Sequence, residues 1–188
     1  MLASERYCGV WGDANLKVRP TCLLHVCIRI IMKNRYKKRI RLKHFDYTGS
    51  YRYFITTCTI NKKPIFTDSC LVNWFIEVLK EESKDFGFLV WAYCFMPDHL
   101  HLLIEGKDEN SHMKKFVSSY KQKTGFYYKK KYGTPLWQIN YYEHVLRKNE
   151  DTRAVARYIF NNPVRKGIVD DYREYAFLGS FEFDVRET

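Results

Sequence analysis

Residues 86–104 read FGFLVWAYCFMPDHLHLLI, and this stretch decides the fold. The apolar run 86–95 is typical of a buried strand. Met96-Pro97-Asp98 predicts a turn, and residues 99–104 (HLHLLI) predict a second strand that forms a hairpin with the first. Side chains two apart in a strand point to the same face. We therefore expect Leu100, Leu102 and Ile104 to face the core, and His99 and His101 to stand together on the opposite face.

The flanking sequence extends this hairpin into a larger sheet. Alternation and apolar spacing predict strands over 51–60 and 141–147, and helices over 69–85, 111–131 and 151–162, the last of them ended by Pro163. The order β-α-β-β-α-β-α predicts an α+β fold. The expected architecture is a ferredoxin-like split βαβ antiparallel sheet with helices on one face.

Composition limits the class of protein. Of 188 residues, 46% are hydrophobic, which excludes a wholly disordered chain, and no run reaches the ~18 apolar residues of a membrane span. Lys plus Arg is 32 and Asp plus Glu is 21, a net charge of +11. Such a charge favours nucleic acid as the partner, with a merely solvated basic surface as the alternative. The six cysteines form no CxxC pair, which predicts reduced thiols in a cytoplasmic protein.

The N-terminal segment differs from the rest of the chain. Residues 1–32 are irregular, whereas residues 33–44 hold seven Lys or Arg and no acid. A basic arm that begins at a Met is common at the start of nucleic-acid-binding domains. We expect an irregular N-terminal extension over 1–32, with the hypothesis that Met32 is the authentic start and that residues 1–31 are an upstream addition. The functional domain is expected over 33–180 and a C-terminal tail over 181–188.

The histidine pair is the first candidate for chemistry. Two convergent imidazoles suit a divalent cation, and nitrogen ligands favour zinc or another transition metal over magnesium. The alternative is a pair of surface histidines that alternate with core residues. Spacing alone favours that alternative and does not identify an ion.

Tyr158 and Asn162 are the second candidate. They lie four residues apart and so share one face of the predicted helix. The phenol could be a nucleophile and the amide a metal ligand. Alternatively, Tyr158 packs in the core and Asn162 caps the helix before Pro163, which spacing alone favours.

Two basic segments form the third candidate. Residues 114–131 carry seven lysines, no acid and five aromatic residues, a combination that can neutralise phosphates and stack on unpaired bases. In the alternative, the aromatics of an amphipathic helix pack inward. The residues predicted to contact nucleic acid are Lys37, Lys38, Arg39, Arg41, Lys114, Lys115, Lys121, Lys123, Lys129, Lys130, Lys131 and Arg165.

Four segments together carry a family resemblance. They are residues 35–59, a basic lead into the first strand; 91–105, WAYCFMPDHLHLLIE; 136–147, LWQINYYEHVLR; and 157–167, RYIFNNPVRKG. In this order the segments resemble the REP-associated tyrosine transposases, a branch of the single-tyrosine HUH transposases. The resemblance covers residues 33–180.

The resemblance implies a mechanism and a partner. It makes Tyr158 the nucleophile, and His99, His101 and Asn162 the ligands of Mg²⁺ or Mn²⁺. Such enzymes cut and rejoin single-stranded DNA beside hairpins formed by palindromic repeats, through a covalent 5′-phosphotyrosine. They act as monomers or homodimers. Tyr141 and Tyr142 belong to a family motif as well, and we interpret them as structural or DNA-contacting.

A second hypothesis comes from another functional class. A domesticated relative could keep the fold and bind DNA or RNA without cutting it. The presence of all four site residues favours the enzyme, because the loss of any one of them would be expected in a binding module.

Overall fold

Strand β1 (Arg52–Thr59) is one of the inner strands of a five-stranded sheet in a computed structural model that describes residue 42 and residues 44–187. The other strands are β2 (Phe88–Met96), β3 (His99–Gly106), β4 (Trp137–Val145) and β5 (Leu178–Gly179). The helices are α1 (Ser69–Asp85), α2 (Met113–Tyr132), α3 (Thr152–Phe160) and the short α4 (Asn162–Arg165), with 3₁₀ turns at Ile60–Lys62 and Tyr172–Glu174. The predicted α+β class and the order of its elements are confirmed.

The strand order is β4-β1-β3-β2-β5, and neighbouring strands are antiparallel. Strands β2 and β3 form the predicted hairpin around Pro97 and Asp98. Strand β1 lies between β3 and β4, so its residues pair with residues of both strands. This register places Thr56 opposite His101 on one side and opposite Tyr142 on the other.

Helices α1 and α2 cover one face of the sheet. Asp68 caps α1 by accepting hydrogen bonds from the amides of Cys70 and Leu71. The apolar stripe predicted over 69–85 is buried against the sheet, with Phe75 and Leu79 fully enclosed. Helix α2 adds Phe116 and Tyr120 to this core. Alternate residues of the sheet complete it: Tyr53, Ile55, Leu100, Leu102 and Ile104.

Helix α3 packs on the other face, the one that carries the histidines. Asp151 caps it through the amide of Arg153, and its apolar stripe buries Val155 and Ile159. The ring of Tyr158 contacts Phe54, whose strand neighbours Tyr53 and Ile55 face the opposite core. The helices therefore lie on both faces, α1 and α2 on one and α3 on the other, and not on one face as the sequence predicted. The second face also carries apolar side chains such as Phe54, which α3 buries.

Two differences from the predicted elements have a tertiary cause. Strand β4 begins at Trp137, four residues before the predicted start, because Trp137 pairs with Thr59 and its indole N–H donates to the Thr124 hydroxyl at 2.8 Å. The predicted C-terminal tail contacts the sheet, since the amide of Phe181 donates to the carbonyl of Val90. Within the described part of the chain, no helix is long and apolar enough to cross a membrane.

A buried ion pair joins α1 to α2. Glu82 has 1% of its side chain exposed, and its charged partner is Lys123, whose side chain is half exposed. The pKa of Lys123 is raised, chiefly because it donates a hydrogen bond to Glu82. A raised lysine pKa stabilises the fold below the ordinary value of about 10.4, and the stabilisation is lost as the pH rises through the folded value.

We expect Lys123→Met to lower the free energy of unfolding by about 1–2 kcal/mol, because it leaves the Glu82 carboxylate buried without its cation. Solvent around the lysine head screens the pair and keeps the loss at the low end for buried ion pairs. Urea unfolding at neutral pH measures it. The control is Lys115→Met, which changes an exposed lysine of the same helix. Equal losses in the two variants would contradict this role for the pair.

Candidate functional site

His99 and His101 converge on the face of the sheet opposite the main core. Both come from β3, and their alternation with the buried Leu100 and Leu102 is as predicted. The two Nε2 atoms lie 3.0 Å apart. His101 is 1% exposed, while the side chain of His99 is 12% exposed, so the pair opens to solvent on the His99 side.

Each imidazole is held by a second polar group through its Nδ1 atom. His99 Nδ1 lies within hydrogen-bond distance of the Asp98 carboxylate, and His101 Nδ1 lies 2.8 Å from the Thr56 hydroxyl. The hydrogen bond from His99 lowers the pKa of Asp98, so the carboxylate is ionised and accepts the Nδ1 proton. This arrangement directs the Nε2 lone pair of His99 towards His101.

The donor set fits a divalent ion. Two nitrogens 3.0 Å apart can both lie about 2.1 Å from one metal, and a carboxylate and a hydroxyl on the outer nitrogens are the usual supports of metal-binding histidines. In the described part of the chain, no third His, Cys, Asp or Glu completes a metal-binding cluster with them. Any further protein ligand from that part would therefore be of another type, such as an amide oxygen.

Tyr158 lies on the same face as the histidines. Its ring centroid is 6.3 Å from that of Phe54, which in turn stacks on His101 at 5.5 Å. The guanidinium of Arg165, an exposed residue of α4, stands 4.5 Å from the centre of the Tyr158 ring. One phenylalanine therefore contacts both the ring of Tyr158 and the buried imidazole of the pair. Tyr158 is 6% exposed, which matches the alternative of a packed tyrosine as far as burial is concerned.

Asn162 closes the end of α3. Its amide nitrogen donates to the carbonyls of Tyr158, at 2.9 Å, and Ile159, at 3.1 Å. The side chain of Asn162 thus caps carbonyls at the end of α3, although the C-cap position itself is Asn161 and Asn162 begins α4. Because both N–H groups are used, only the amide oxygen is left to act as a ligand.

The two tyrosines of β4 face opposite sides of the sheet. Tyr141 contacts the sulfur of Met113 in α2, on the core side. Tyr142 lies with its ring 5.9 Å from Phe54, on the side of the histidines. Of the two, only Tyr142 lies on the face where it could act as a nucleophile in place of Tyr158.

The lysines predicted to contact nucleic acid divide into two groups. Three are engaged within the protein: Lys114 stands over the Tyr47 ring, Lys121 donates to the carbonyls of Gln138 and Ile139, and Lys123 pairs with Glu82. Lys115, Lys129, Lys130 and Lys131 are exposed, although the ammonium of Lys131 also stands over the rings of Tyr127 and Tyr132. Of the other predicted contacts, Arg165 is exposed, and Lys37, Lys38, Arg39 and Arg41 lie outside the described residues.

Thr56, Phe54 and Asp98 were not among the predicted site residues. Phe54 and Thr56 alternate with Tyr53 and Ile55, so a period of two in β1 could have assigned them to the histidine face. Asp98 directly precedes His99, and a carboxylate beside a candidate ligand is a recognisable signal.

Comparison with known proteins gives a consistent result. The family described as IS200-like transposases matches residues 47–162, which is more than half of the chain. A candidate REP-associated tyrosine transposase of Haemophilus influenzae is 29% identical over 153 residues, which cover 75% of this chain and 85% of that protein. A REP-associated tyrosine transposase of Escherichia coli is 28% identical over 107 residues, 55% of this chain and 60% of the relative.

A solved structure shares the fold. It is a REP-associated tyrosine transposase bound to a REP hairpin, and it matches with a TM-score of 0.61 at 20% identity. The match covers 74% of this chain and 82% of that one.

Proposed function

Because this chain belongs to the family of IS200-like transposases, we propose that it cleaves and rejoins single-stranded DNA beside hairpins through a covalent bond to Tyr158. The observation that carries the proposal is the placement of Phe54. Its ring contacts both His101 and Tyr158, so an imidazole pair suited to a cation and a phenol suited to nucleophilic attack lie on one face of one sheet.

Tyr158 is the nucleophile in this proposal. Its phenolic oxygen forms a bond to phosphorus, the bond from phosphorus to the 3′ oxygen breaks, and the phenolic proton is released as attack proceeds. The 3′ oxygen takes up a proton and leaves as a free hydroxyl, while the 5′ phosphate stays on Tyr158. The phosphodiester energy is retained in this link, so that the reverse reaction rejoins DNA without ATP.

Arg165 supports this attack from the ring face of Tyr158. A guanidinium 4.5 Å from the ring centre stabilises the negative charge that develops on the phenol oxygen. Since Arg165 is also exposed, it can contact the backbone phosphate of the bound strand.

His99, His101 and the amide oxygen of Asn162 would hold Mg²⁺ or Mn²⁺. When bound, such an ion supplies Lewis-acid stabilisation of charge on a non-bridging phosphate oxygen. The chain itself fixes the ligands: Asp98 and Thr56 hold the two imidazoles, and the α3–α4 junction holds Asn162 beside Tyr158.

Access to Tyr158 requires a local movement. Only 6% of Tyr158 is exposed, so a phosphate reaches its oxygen once the residues around it open. The α3–α4 segment is the natural element to move, since α3 ends at Phe160 and a new short helix begins at Asn162.

Hairpin DNA is the proposed partner. The structurally similar transposase is bound to a REP hairpin, and this chain has a net charge of +11. Thr124 of α2 accepts a hydrogen bond from Trp137, which lies at the end of the sheet where β3 begins with His99. Helix α2 continues for eight residues beyond Thr124. Eight residues span about 12 Å. The exposed Lys129, Lys130 and Lys131 therefore project beyond that end, where a strand entering the site can meet them.

Replacing Lys129, Lys130 and Lys131 with Ala is expected to reduce the slope of log affinity against log salt by about 2, since each contact with single-stranded phosphate contributes about 0.7. Fluorescence anisotropy with a labelled hairpin carrying a single-stranded flank, at several salt concentrations, measures the slope. The matched control replaces Lys80, Lys84 and Lys107, which are also exposed. The same slope in wild type and in the first variant would place the DNA elsewhere.

The test of the proposed function uses a labelled hairpin oligonucleotide with single-stranded flanks, the full chain and Mn²⁺. We expect a covalent protein–DNA adduct on denaturing gels, a released fragment with a free 3′ hydroxyl, and loss of both on addition of EDTA. Tight hairpin binding without adduct or cleavage would instead favour the non-catalytic nucleic-acid-binding protein.

A further inference from the structure

Resting on the proposed metal site, we propose that Thr56 is a positioning residue that allows His101 to move its ring proton from Nε2 to Nδ1 when an ion binds. The Thr56 hydroxyl and His101 Nδ1 lie 2.8 Å apart in a buried contact between residues 45 positions apart in the chain. The register of β1 with β3 sets this contact, because Thr56 and His101 are directly opposed.

The direction of the hydrogen bonds in the metal-free protein follows from its two ends. An ionised Asp98 carboxylate can only accept, so His99 carries its proton on Nδ1 and presents a lone pair at Nε2. His101 Nε2, at 3.0 Å, must then donate to it. The neutral His101 ring is left with a lone pair at Nδ1, to which the Thr56 hydroxyl donates.

Ion binding reverses the last of these bonds. Both Nε2 atoms must then offer lone pairs to the cation, so neutral His101 carries its proton on Nδ1. This N–H lies in a buried position and needs an acceptor, and the Thr56 oxygen is the group placed to accept it. A hydroxyl can donate in one state and accept in the other, whereas an apolar side chain can do neither.

Thr57 provides a matched control in the next position of the strand. Thr57 faces the other side of the sheet, is 2% exposed, and its hydroxyl has no hydrogen-bond partner among the described residues. Thr→Val substitutions at 56 and at 57 therefore make the same change of shape in the same strand, and only the first removes the bond to His101.

The experiment is a Mn²⁺ titration of the full chain, with free Mn²⁺ measured by electron paramagnetic resonance and His99→Ala as the background. We expect Thr56→Val to weaken Mn²⁺ binding by about 10- to 100-fold, the range found when supports of metal-binding histidines are removed. Thr56→Ser should restore most of the affinity, and Thr57→Val should match wild type. Thermal unfolding of each variant checks that the fold is kept.

Each other result contradicts the inference. Wild-type affinity in Thr56→Val would show that the hydroxyl does not support the site. Affinity in Thr56→Ser as low as in Thr56→Val would show that a hydroxyl at this position is not sufficient to support the site, contrary to the inference. Failure of the wild-type chain to bind Mn²⁺ would contradict the proposed metal site itself, and the role of Thr56 with it.

Discussion

Tyr158→Phe is expected to abolish the covalent protein–DNA adduct, with a loss of at least about 10³-fold in cleavage, while hairpin binding stays nearly unchanged. The substitution removes one oxygen and keeps the ring. The contacts of that ring with Phe54 and with the Arg165 guanidinium therefore remain, and so does the packing of α3. Denaturing gels with a labelled hairpin and Mn²⁺ measure the adduct, and anisotropy measures binding.

Tyr142→Phe is the matched control for this experiment. Tyr142 also contacts Phe54 on the histidine side, so it is a competing phenol on the same face of the sheet. We expect it to retain the adduct. If the adduct persists in Tyr158→Phe and disappears in Tyr142→Phe, the nucleophile is Tyr142.

The second large effect is expected at the imidazole pair. His99→Ala and His101→Ala should each reduce Mn²⁺-dependent cleavage by at least about 100-fold, equivalent to about 3 kcal/mol of transition-state stabilisation. Each variant removes one of the two nitrogens that lie 3.0 Å apart. Single-turnover cleavage rates across a series of Mn²⁺ concentrations measure the effect.

His144→Ala serves as the control for these variants. His144, in β4, pairs with Glu150 and lies opposite Phe54 of β1. The substitution therefore removes an imidazole from the same sheet and leaves His99 and His101 unchanged. Because His101 is fully enclosed, thermal unfolding must accompany its cleavage data. Cleavage by His99→Ala at the wild-type rate would reduce the pair to a structural feature.

Local patterns in the sequence predicted the local geometry. The alternation HLHLLI placed both imidazoles on one face because strand side chains repeat every two residues. The stripe over 69–85 matched α1 at both ends, since Asp68 supplies the cap and the buried face follows helical spacing. The spacing of Tyr158 and Asn162 placed them at adjacent positions on α3 and its end, where the amide bonds the tyrosine carbonyl.

Sequence patterns were less informative about the lysines of α2. The seven lysines lie in one acid-free segment, so composition does not distinguish them. In the structure, Lys121 donates to two backbone carbonyls of β4, and Lys123 pairs with a buried carboxylate of α1. Which lysine is exposed depends on what the neighbouring elements place beside it. Composition predicted a basic helix, and packing against the neighbouring elements determines which of its lysines remain exposed.

The sequence by itself determined the order of the first four strands and the three longer helices, the pairing of His99 with His101, and the four-residue spacing of Tyr158 and Asn162. These depend on backbone periodicity over a few residues, which a linear pattern contains. Only the tertiary structure decided that α3 lies on the histidine face, that Phe54 contacts both His101 and Tyr158, and that Thr56 meets His101 across 45 positions of chain. Such contacts depend on the register between strands and on which face a helix covers, and both are set by burial of the whole core.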